Sequence, residues 1–198
     1  MNSQAVAITL TLLAAYLIGS IPTGYIVARR VMGIDIREHG SGNVGATNVK
    51  RVVGNKAGLF TLVFDFFKGL VPVVASKWLF PDLPLVHVLT ALAPVIGHSK
   101  SVFLGFTGGK SAITGLGGLM GLAPLPALTT GVIAFSTMKI TRIVSVGTIL
   151  AAICSPVLMI AFGQPLAYTG YALISAAYVI YLHRANIDRL MKGTENRI

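Results

Sequence analysis

Two glycine-rich segments contain the residue types that bind phosphate. The first covers residues 40–51, and its polar side chains are Ser41, Asn43, Thr47, Asn48 and Arg51. Glycine allows positive φ and lets consecutive backbone N–H groups face one point, which forms an anion-binding nest. The hydroxyl and amide groups add neutral donors, and the Arg51 guanidinium adds a planar fork that matches phosphate. The pattern predicts an anion site rather than a flexible loop.

The second segment is Gly108-Gly109-Lys110-Ser111, which has the ending of a nucleotide-binding P-loop. The P-loop spacing requires glycine at position 104, which is Leu104 here, and no hydrophobic strand precedes the segment. Nucleotide hydrolysis is therefore excluded. A Gly-Gly turn that leads into a helix N-terminus beside a lysine still predicts an anion site.

Polar residues near three further helix ends point to the same edge. His183, Asn186 and Arg189 follow one another at intervals of three, so they share one face of a helix that continues from residue 182. Ser145 opens another helix, and His98 ends a third. We expect these side chains to contribute to one site.

Two charges are predicted to lie within the membrane. Asp65 and Lys68 are three residues apart in an apolar run, so they share a helix face and can pair. Such charges are costly in lipid. The pair either neutralises itself and holds the helices together, or Lys68 supports the site near a substrate phosphate.

Composition places the chain in a membrane. Of its 198 residues 54% are hydrophobic and 11% are charged, against about 25% charged in a soluble domain. The net charge of +10 has no aromatic-rich basic module beside it, which argues against nucleic acid and favours anionic lipid or a phosphorylated substrate. Cys154 is the single cysteine, so no disulfide frame exists, and we expect neither a metal nor a cofactor.

Seven apolar runs occupy most of the chain, at residues 5–28, 57–80, 85–97, 112–122, 125–138, 144–162 and 166–182. The first lacks the basic start of a cleaved signal and is predicted to be a retained helix. A span needs about 20 apolar residues. The third, fourth and fifth runs are therefore expected to be tilted, broken or half-membrane helices.

Basic residues fall in alternate connections. The turns at 81–84, 121–126 and 163–166 hold a single charge, Asp82, whereas the other loops and the tail are rich in Lys and Arg. Short basic loops remain cytoplasmic. This predicts seven spans with the N-terminus outside and the C-terminus in the cytoplasm. Treating 112–138 as one helix gives six spans and places Lys139 outside, so we reject it. The predicted fold class is an all-α polytopic transmembrane bundle, with one domain over residues 1–198.

The motifs resemble those of the PlsY-type glycerol-3-phosphate acyltransferases, in order along nearly the whole chain. The matching segments are Ser20-Ile-Pro22-Thr23, Ser41 to Asn48 with Arg51, Asp65-Phe-Phe-Lys68-Gly69, Gly97-His98 with Phe103 and Gly108-Gly109-Lys110, and His183-x-x-Asn186-x-x-Arg189-Leu190. The chain departs from the family pattern at Ser101, Thr107 and Ser111, where a proline, a lysine and a glycine are usual.

The resemblance implies an enzyme of the bacterial plasma (inner) membrane with its active site on the cytoplasmic side. It would transfer a fatty acyl group from acyl phosphate to the 1-hydroxyl of sn-glycerol 3-phosphate, giving lysophosphatidic acid and phosphate, the first step of phospholipid biosynthesis. Its partners would be these substrates and the bilayer, with no nucleic acid and no obligate protein partner.

The sequence favours direct transfer without an acyl-enzyme intermediate. It contains no GxSxG nucleophile elbow. We expect Lys110 and the Gly108–Gly109 turn to hold the donor phosphate. The base is either His183 or a substrate phosphate oxygen. The predicted catalytic residues are His183, Lys110, Ser41 and Arg51. The predicted substrate-binding residues are Asn43, Thr47, Asn48, Lys68, His98, Gly108, Gly109, Ser145, Asn186 and Arg189.

Two other functions fit a basic membrane face. A small transporter for an organic phosphate would need polar residues running to the outer side, and the sequence offers few beyond Asp65 and Lys68. A scaffold that binds anionic lipid would not need such dense glycine, asparagine and histidine chemistry. The enzyme is therefore the favoured interpretation.

Overall fold

The protein is described by a computed structural model over residues 3–197. This part of the chain forms ten α-helices, with short 3₁₀ turns at Ile36–Glu38 and Val102–Leu104. The helices are α1 (Ser3–Ser20), α2 (Thr23–Met32), α3 (Ala46–Val52), α4 (Asn55–Leu79), α5 (Pro84–Ser99), α6 (Ala112–Leu122), α7 (Pro124–Thr141), α8 (Val144–Ala161), α9 (Leu166–Leu182) and α10 (Arg184–Met191).

The first apolar run is broken rather than continuous. α1 ends at Ser20 and α2 begins at Thr23, with Pro22 between them. Proline has no N–H and disfavours helical backbone in the residue before it, so a break is expected here. At the break, the Ile21 carbonyl accepts from the Thr23 N–H at 3.0 Å and from Lys68 Nζ at 3.1 Å.

The all-α bundle with short and broken helices is confirmed. Three helical segments are long and apolar enough to cross a membrane: Ser3–Met32, Asn55–Leu79 and Val144–Ala161. α6 has 11 residues and covers about 16 Å, roughly half of a hydrocarbon core. α6 and α7 are separate helices joined by Ala123 in an extended conformation, which is what the two-helix interpretation of 112–138 requires.

Glycines bring α4 and α6 into close contact. A methyl group added to Gly117 would lie 2.1 Å from the Phe66 carbonyl oxygen, and one on Gly69 would lie 2.0 Å from that of Thr114. Backbones at this distance leave no room for a side chain, so small residues are required. This close contact holds α6 against α4, although α6 is too short to span the hydrocarbon core.

Helices α4 and α6–α9 form a ring around a central space. α4 packs on α6, α6 on α9, α9 on α8 and α8 on α7, and α6 also packs on α7. A buried cluster that includes Met159, Tyr171 and Leu122 fills one end of this ring. The other end, where the basic loops meet, contains a cavity.

Candidate active site

A cavity of about 840 Å³ lies between α3, α4 and α6–α10. Eleven of the predicted site residues line it: Ser41, Asn43, Thr47, Asn48, Arg51, His98, Lys110, Ser145, His183, Asn186 and Arg189. Lys68, Gly108 and Gly109 do not. The basic side chains on its wall are Lys50, Arg51, Lys110, Lys139 and Arg189, against the acids Asp65 and Glu195. The end of the cavity that these side chains line, its polar end, is therefore suited to anions.

Asn48 holds the first glycine-rich loop in shape. Its Oδ1 accepts from the Ser41 N–H at 2.8 Å, and its Nδ2 donates to the carbonyls of His39 and Asn43 at 3.0 and 2.9 Å. The side chain is buried and its polar atoms are engaged within the loop. Asn48 thereby positions Ser41 and Asn43, and all three residues line the cavity; its substrate-binding role remains a prediction.

The Gly108–Gly109 turn packs against His98. The Gly109 N–H donates to the His98 carbonyl at 2.9 Å, and a methyl on Gly109 would lie 2.1 Å from His98 Nε2. A methyl on Gly108 would lie 2.2 Å from the same carbonyl. Both glycines are required by this contact. Neither lines the large cavity, and their substrate-binding role remains a prediction.

The same turn carries Lys110 inward. Ser111 Oγ donates to the Val95 carbonyl at 2.6 Å, so α6 begins about one turn inside the end of α5. Ser111 adopts φ 58°, a left-handed conformation that favours glycine. The hydrogen bond from the Ser111 hydroxyl to the Val95 carbonyl offsets the strain of this conformation for a serine. Thr107 lies outside the cavity, so the absence of a lysine there removes no charge from the site.

Lys110 lies beside the N-terminus of α6, whose first residues Ala112 and Ile113 also line the cavity. Free N–H groups and the helix dipole favour an anion at this point. Lys110 Nζ donates to Asn186 Oδ1. Burial, and then the nearby Arg189 charge, lowers the pKa of Lys110 below the ordinary lysine value.

Glu195 is a site residue that the sequence did not reveal. Its Oε1 accepts from Ser145 Oγ at 2.8 Å and from Asn186 Nδ2 at 2.5 Å, and its Oε2 accepts from Arg189 Nε at 2.6 Å. Burial opposes its ionisation, but these hydrogen bonds outweigh burial and lower its pKa. The carboxylate fixes three cavity side chains from α8 and α10.

His183 presents one nitrogen to the cavity in a defined state. Nδ1 lies 2.7 Å from the Val179 carbonyl oxygen, so Nδ1 carries the proton and Nε2 is an acceptor. The side chain is 5% exposed. Burial, aided by the Lys110 charge, lowers the pKa of His183 to about 4. The ring is therefore neutral at pH 7.

The predicted Asp65–Lys68 pair is present. Lys68 Nζ lies 2.8 Å from Asp65 Oδ1, both side chains are buried, and His98 Nδ1 lies 3.8 Å from the same carboxylate oxygen. Lys68 also bonds the Ile21 carbonyl, so its ammonium links α4 to the break between α1 and α2. These contacts give Lys68 a structural role, and its substrate-binding role remains a prediction.

Replacing Asp65 with asparagine should destabilise the protein by about 3–5 kcal/mol, because it leaves the Lys68 ammonium buried without a counter-charge. Unfolding in detergent micelles measures this. Asp82→Asn, on an exposed turn, is the matched control, and Asp65→Asn combined with Lys68→Met should recover much of the loss. An Asp65→Asn protein as stable as the control would contradict the structural role.

Beyond the polar residues the cavity becomes apolar. The walls there include Leu116 and Leu119 of α6, Ala151 and Ala152 of α8, and Ala172 of α9. From Ser145 to Ser155 the cavity follows α8 for ten residues, which is about 15 Å. One cavity thus offers cationic and hydrogen-bonding groups at one end and an apolar channel at the other.

Comparison with known proteins agrees with this geometry. The profile of the family described as glycerol-3-phosphate acyltransferase matches residues 9–193. A glycerol-3-phosphate acyltransferase from Synechococcus sp. (strain JA-3-3Ab) is 49% identical, covering 96% of this chain and 92% of its own. One from Crocosphaera subtropica is 43% identical, covering 96% and 93%.

Two crystal structures of PlsY, an integral membrane glycerol 3-phosphate acyltransferase, have the same fold. The glycerol 3-phosphate form superposes with a TM-score of 0.93 at 38% identity, covering 97% of this chain and 96% of that one. The lysophosphatidic acid form gives 0.91 at 37% identity, covering 97% and 95%. The apolar helices, the family profile and these neighbours lead to one conclusion: the chain is an integral membrane protein that belongs to the glycerol-3-phosphate acyltransferase family, of the PlsY type.

Proposed function

We propose that this acyltransferase takes its acyl group from acyl phosphate and transfers it to the 1-hydroxyl of sn-glycerol 3-phosphate, producing lysophosphatidic acid and phosphate. This reaction would begin phospholipid biosynthesis. The protein would lie in the inner membrane of a bacterium as a single domain of seven spans, with its N-terminus outside and its C-terminus and active site on the cytoplasmic side. The alternation of basic and uncharged connections supports this topology.

The observation that carries the proposal is the two-ended cavity. Both substrates contain phosphate, which suits the basic end, and the acyl chain suits the apolar end. A hydrocarbon core of about 30 Å gives each leaflet about 15 Å, which matches the length of the cavity along α8. The PlsY structures in glycerol 3-phosphate and lysophosphatidic acid forms support an acceptor and a product of this kind.

The cavity walls suggest where each phosphate binds. We assign the donor phosphate to Lys110 and the N-terminus of α6, because a cation and free N–H groups meet there. Arg51 makes no salt bridge within residues 3–197, so its guanidinium is free to bind phosphate. Together with Ser41, Asn43 and Thr47 it would complete the shared pocket.

The acceptor is assigned to the adjoining wall. Ser145, His183 and Asn186 lie together there, and Arg189 is neutralised by Glu195. In this arrangement Glu195 holds Asn186 so that its Oδ1 faces Lys110. The acceptor hydroxyl would then lie next to the donor carbonyl, which supplies the proximity on which a two-substrate reaction depends.

The chemistry requires no covalent enzyme intermediate. The 1-hydroxyl oxygen of glycerol 3-phosphate attacks the carbonyl carbon of acyl phosphate, and the carbon–oxygen bond to phosphate breaks. The hydroxyl proton goes to His183 Nε2 or to a substrate phosphate oxygen. Lys110 stabilises the negative charge that collects on the leaving phosphate.

Purified protein mixed with palmitoyl phosphate and glycerol 3-phosphate tests the proposal. We expect equal amounts of inorganic phosphate and lysophosphatidic acid. Palmitoyl-CoA and palmitoyl-acyl carrier protein, supplied in place of acyl phosphate, should give no product. No product from folded protein with acyl phosphate would refute the proposal, and activity with acyl-CoA alone would refute the donor.

A further inference from the structure

The ring of helices around the cavity has a gap between α4 and α7. Both helices pack on α6, which has only 11 residues, but they do not pack closely on each other within residues 3–197. Residues from both sides of this gap line the cavity: Leu59 and Leu62 from α4, and Phe135 and Met138 from α7. Leu59 is 62% exposed and Phe135 is 49% exposed, so the cavity wall continues onto the lipid-facing surface.

The gap lies at the level of one leaflet. Leu59 and Leu62 are four and seven residues after the start of α4 at Asn55, and Phe135 and Met138 are six and three residues before the end of α7. At 1.5 Å per residue, all four are within about 11 Å of the helix ends that carry the basic loops. A leaflet is about 15 Å thick. The opening therefore faces acyl chains of the leaflet on the side of the basic loops.

Two exposed lysines flank this opening. Lys50, at the end of α3, lies on the α4 side, because Gly58 of α4 packs against it. Lys139 lies near the end of α7. Both line the cavity, and neither takes part in a salt bridge within residues 3–197. An apolar slot between two free cations matches a single-chain amphiphile with an anionic head.

We propose that the gap between α4 and α7 is the passage through which acyl phosphate enters the cavity from the bilayer and lysophosphatidic acid leaves it, with Lys50 and Lys139 receiving the phosphate head. This inference rests on the proposed function. Lateral movement keeps the acyl chain in an apolar environment throughout, whereas a path through the polar end would expose it to water and to buried charges. Glycerol 3-phosphate, which has no chain, reaches the polar end from the aqueous side.

Linking the two helices tests the passage. The double variant Leu59→Cys/Phe135→Cys, in a Cys154→Ala background, is placed in lipid nanodiscs and treated with bis-maleimides of graded length. Transfer from palmitoyl phosphate before treatment is the reference. We expect transfer to be lost in proportion to the linked fraction, while binding of glycerol 3-phosphate, measured by calorimetry, is unchanged.

The single-cysteine variants Leu59→Cys and Phe135→Cys, treated with the same reagents, are the matched controls, because each carries the reagent without joining the helices. Full transfer by the linked protein would contradict the proposed passage. A linked protein that loses both transfer and glycerol 3-phosphate binding would contradict it as well. Absence of transfer in the Cys154→Ala parent, which retains Leu59 and Phe135, would instead count against the proposed function.

A second set of variants tests the two lysines. Lys50→Gln combined with Lys139→Gln should raise the KM for palmitoyl phosphate and leave the KM for glycerol 3-phosphate unchanged. Lys100→Gln, an exposed lysine outside the cavity, is the control. An unchanged donor KM in the double variant would overturn the role of the lysines at the passage.

Discussion

Replacing His183 with asparagine should lower kcat for acyl transfer to glycerol 3-phosphate by about 10²–10⁴-fold, the usual contribution of a general base. The reason lies in the tautomer. Nδ1 is committed to the Val179 carbonyl, which leaves Nε2 as an acceptor on the cavity wall. Asparagine keeps a donor near the Nδ1 position and removes the basic nitrogen. The substitution therefore separates base catalysis from packing.

Steady-state kinetics with saturating palmitoyl phosphate measure this effect. His39→Asn, at an exposed histidine of the first loop outside the cavity, is the control and should match the unaltered protein. A loss confined to the KM for glycerol 3-phosphate, with kcat preserved, would show that His183 binds the acceptor and that a substrate phosphate oxygen takes the proton.

The pH dependence gives an independent test of the same role. Burial lowers the pKa of His183 to about 4, so the neutral base should persist from pH 8 down to about pH 5 and be lost only as the pH falls through 4. The ratio of kcat in the unaltered protein to kcat in His183→Asn cancels the titration of the substrates. We expect this ratio to stay constant above pH 5. A fall centred near 6.5 would indicate an ordinary, exposed imidazole.

The sequence predicted the helices and most of the cavity wall because those features depend on local pattern. Apolar runs and proline-containing turns place the helices. Intervals of three place His183, Asn186 and Arg189 on one face, and all three line the cavity. The pairing of Asp65 with Lys68 follows from the same spacing. Each of these features is encoded within a few consecutive turns of one helix.

The structural contacts that the sequence did not reveal join distant segments of the chain. The Gly108–Gly109 turn has the composition of an anion nest, but its glycines are required because the turn packs against His98. Lys68 has the charge of a phosphate ligand, but Ile21, from the break between α1 and α2, takes part of its donor capacity. Nothing local to residues 68 or 109 indicates these partners.

Glu195 also depends on contacts between distant segments, and no local pattern marks it as a site residue. In the sequence it is one acid in a basic tail, with no spacing that relates it to Ser145, 50 residues earlier. Gly193, at φ 67°, turns the chain after α10, and the tail then brings the carboxylate back to the cavity. The role of Glu195 depends on how the tail turns back towards α8 and α10. It can therefore be recognised only in the folded chain.

Replacing Lys110 with methionine should lower kcat by about 10²–10³-fold, the usual cost of removing one group that stabilises developing charge. Methionine keeps most of the apolar stem and removes the ammonium, which lies beside the N-terminus of α6 and bonds Asn186. Release of inorganic phosphate in single-turnover reactions measures the step. Lys100→Met, ten residues earlier and exposed, is the matched control.

Lys110→Arg distinguishes charge stabilisation from packing. Burial lowers the pKa of Lys110, so its charge, and the activity that depends on it, should be lost as the pH rises to a value below the ordinary lysine range. Arginine remains protonated there. The arginine variant should therefore be less active than the unaltered protein at pH 7, since its larger fork fits the site less well, yet lose less of its own activity between pH 7 and 10. An equal loss of activity at alkaline pH in both proteins would show that the group that titrates is not Lys110. An unaltered kcat in Lys110→Met would show that the lysine takes no part in the catalytic step.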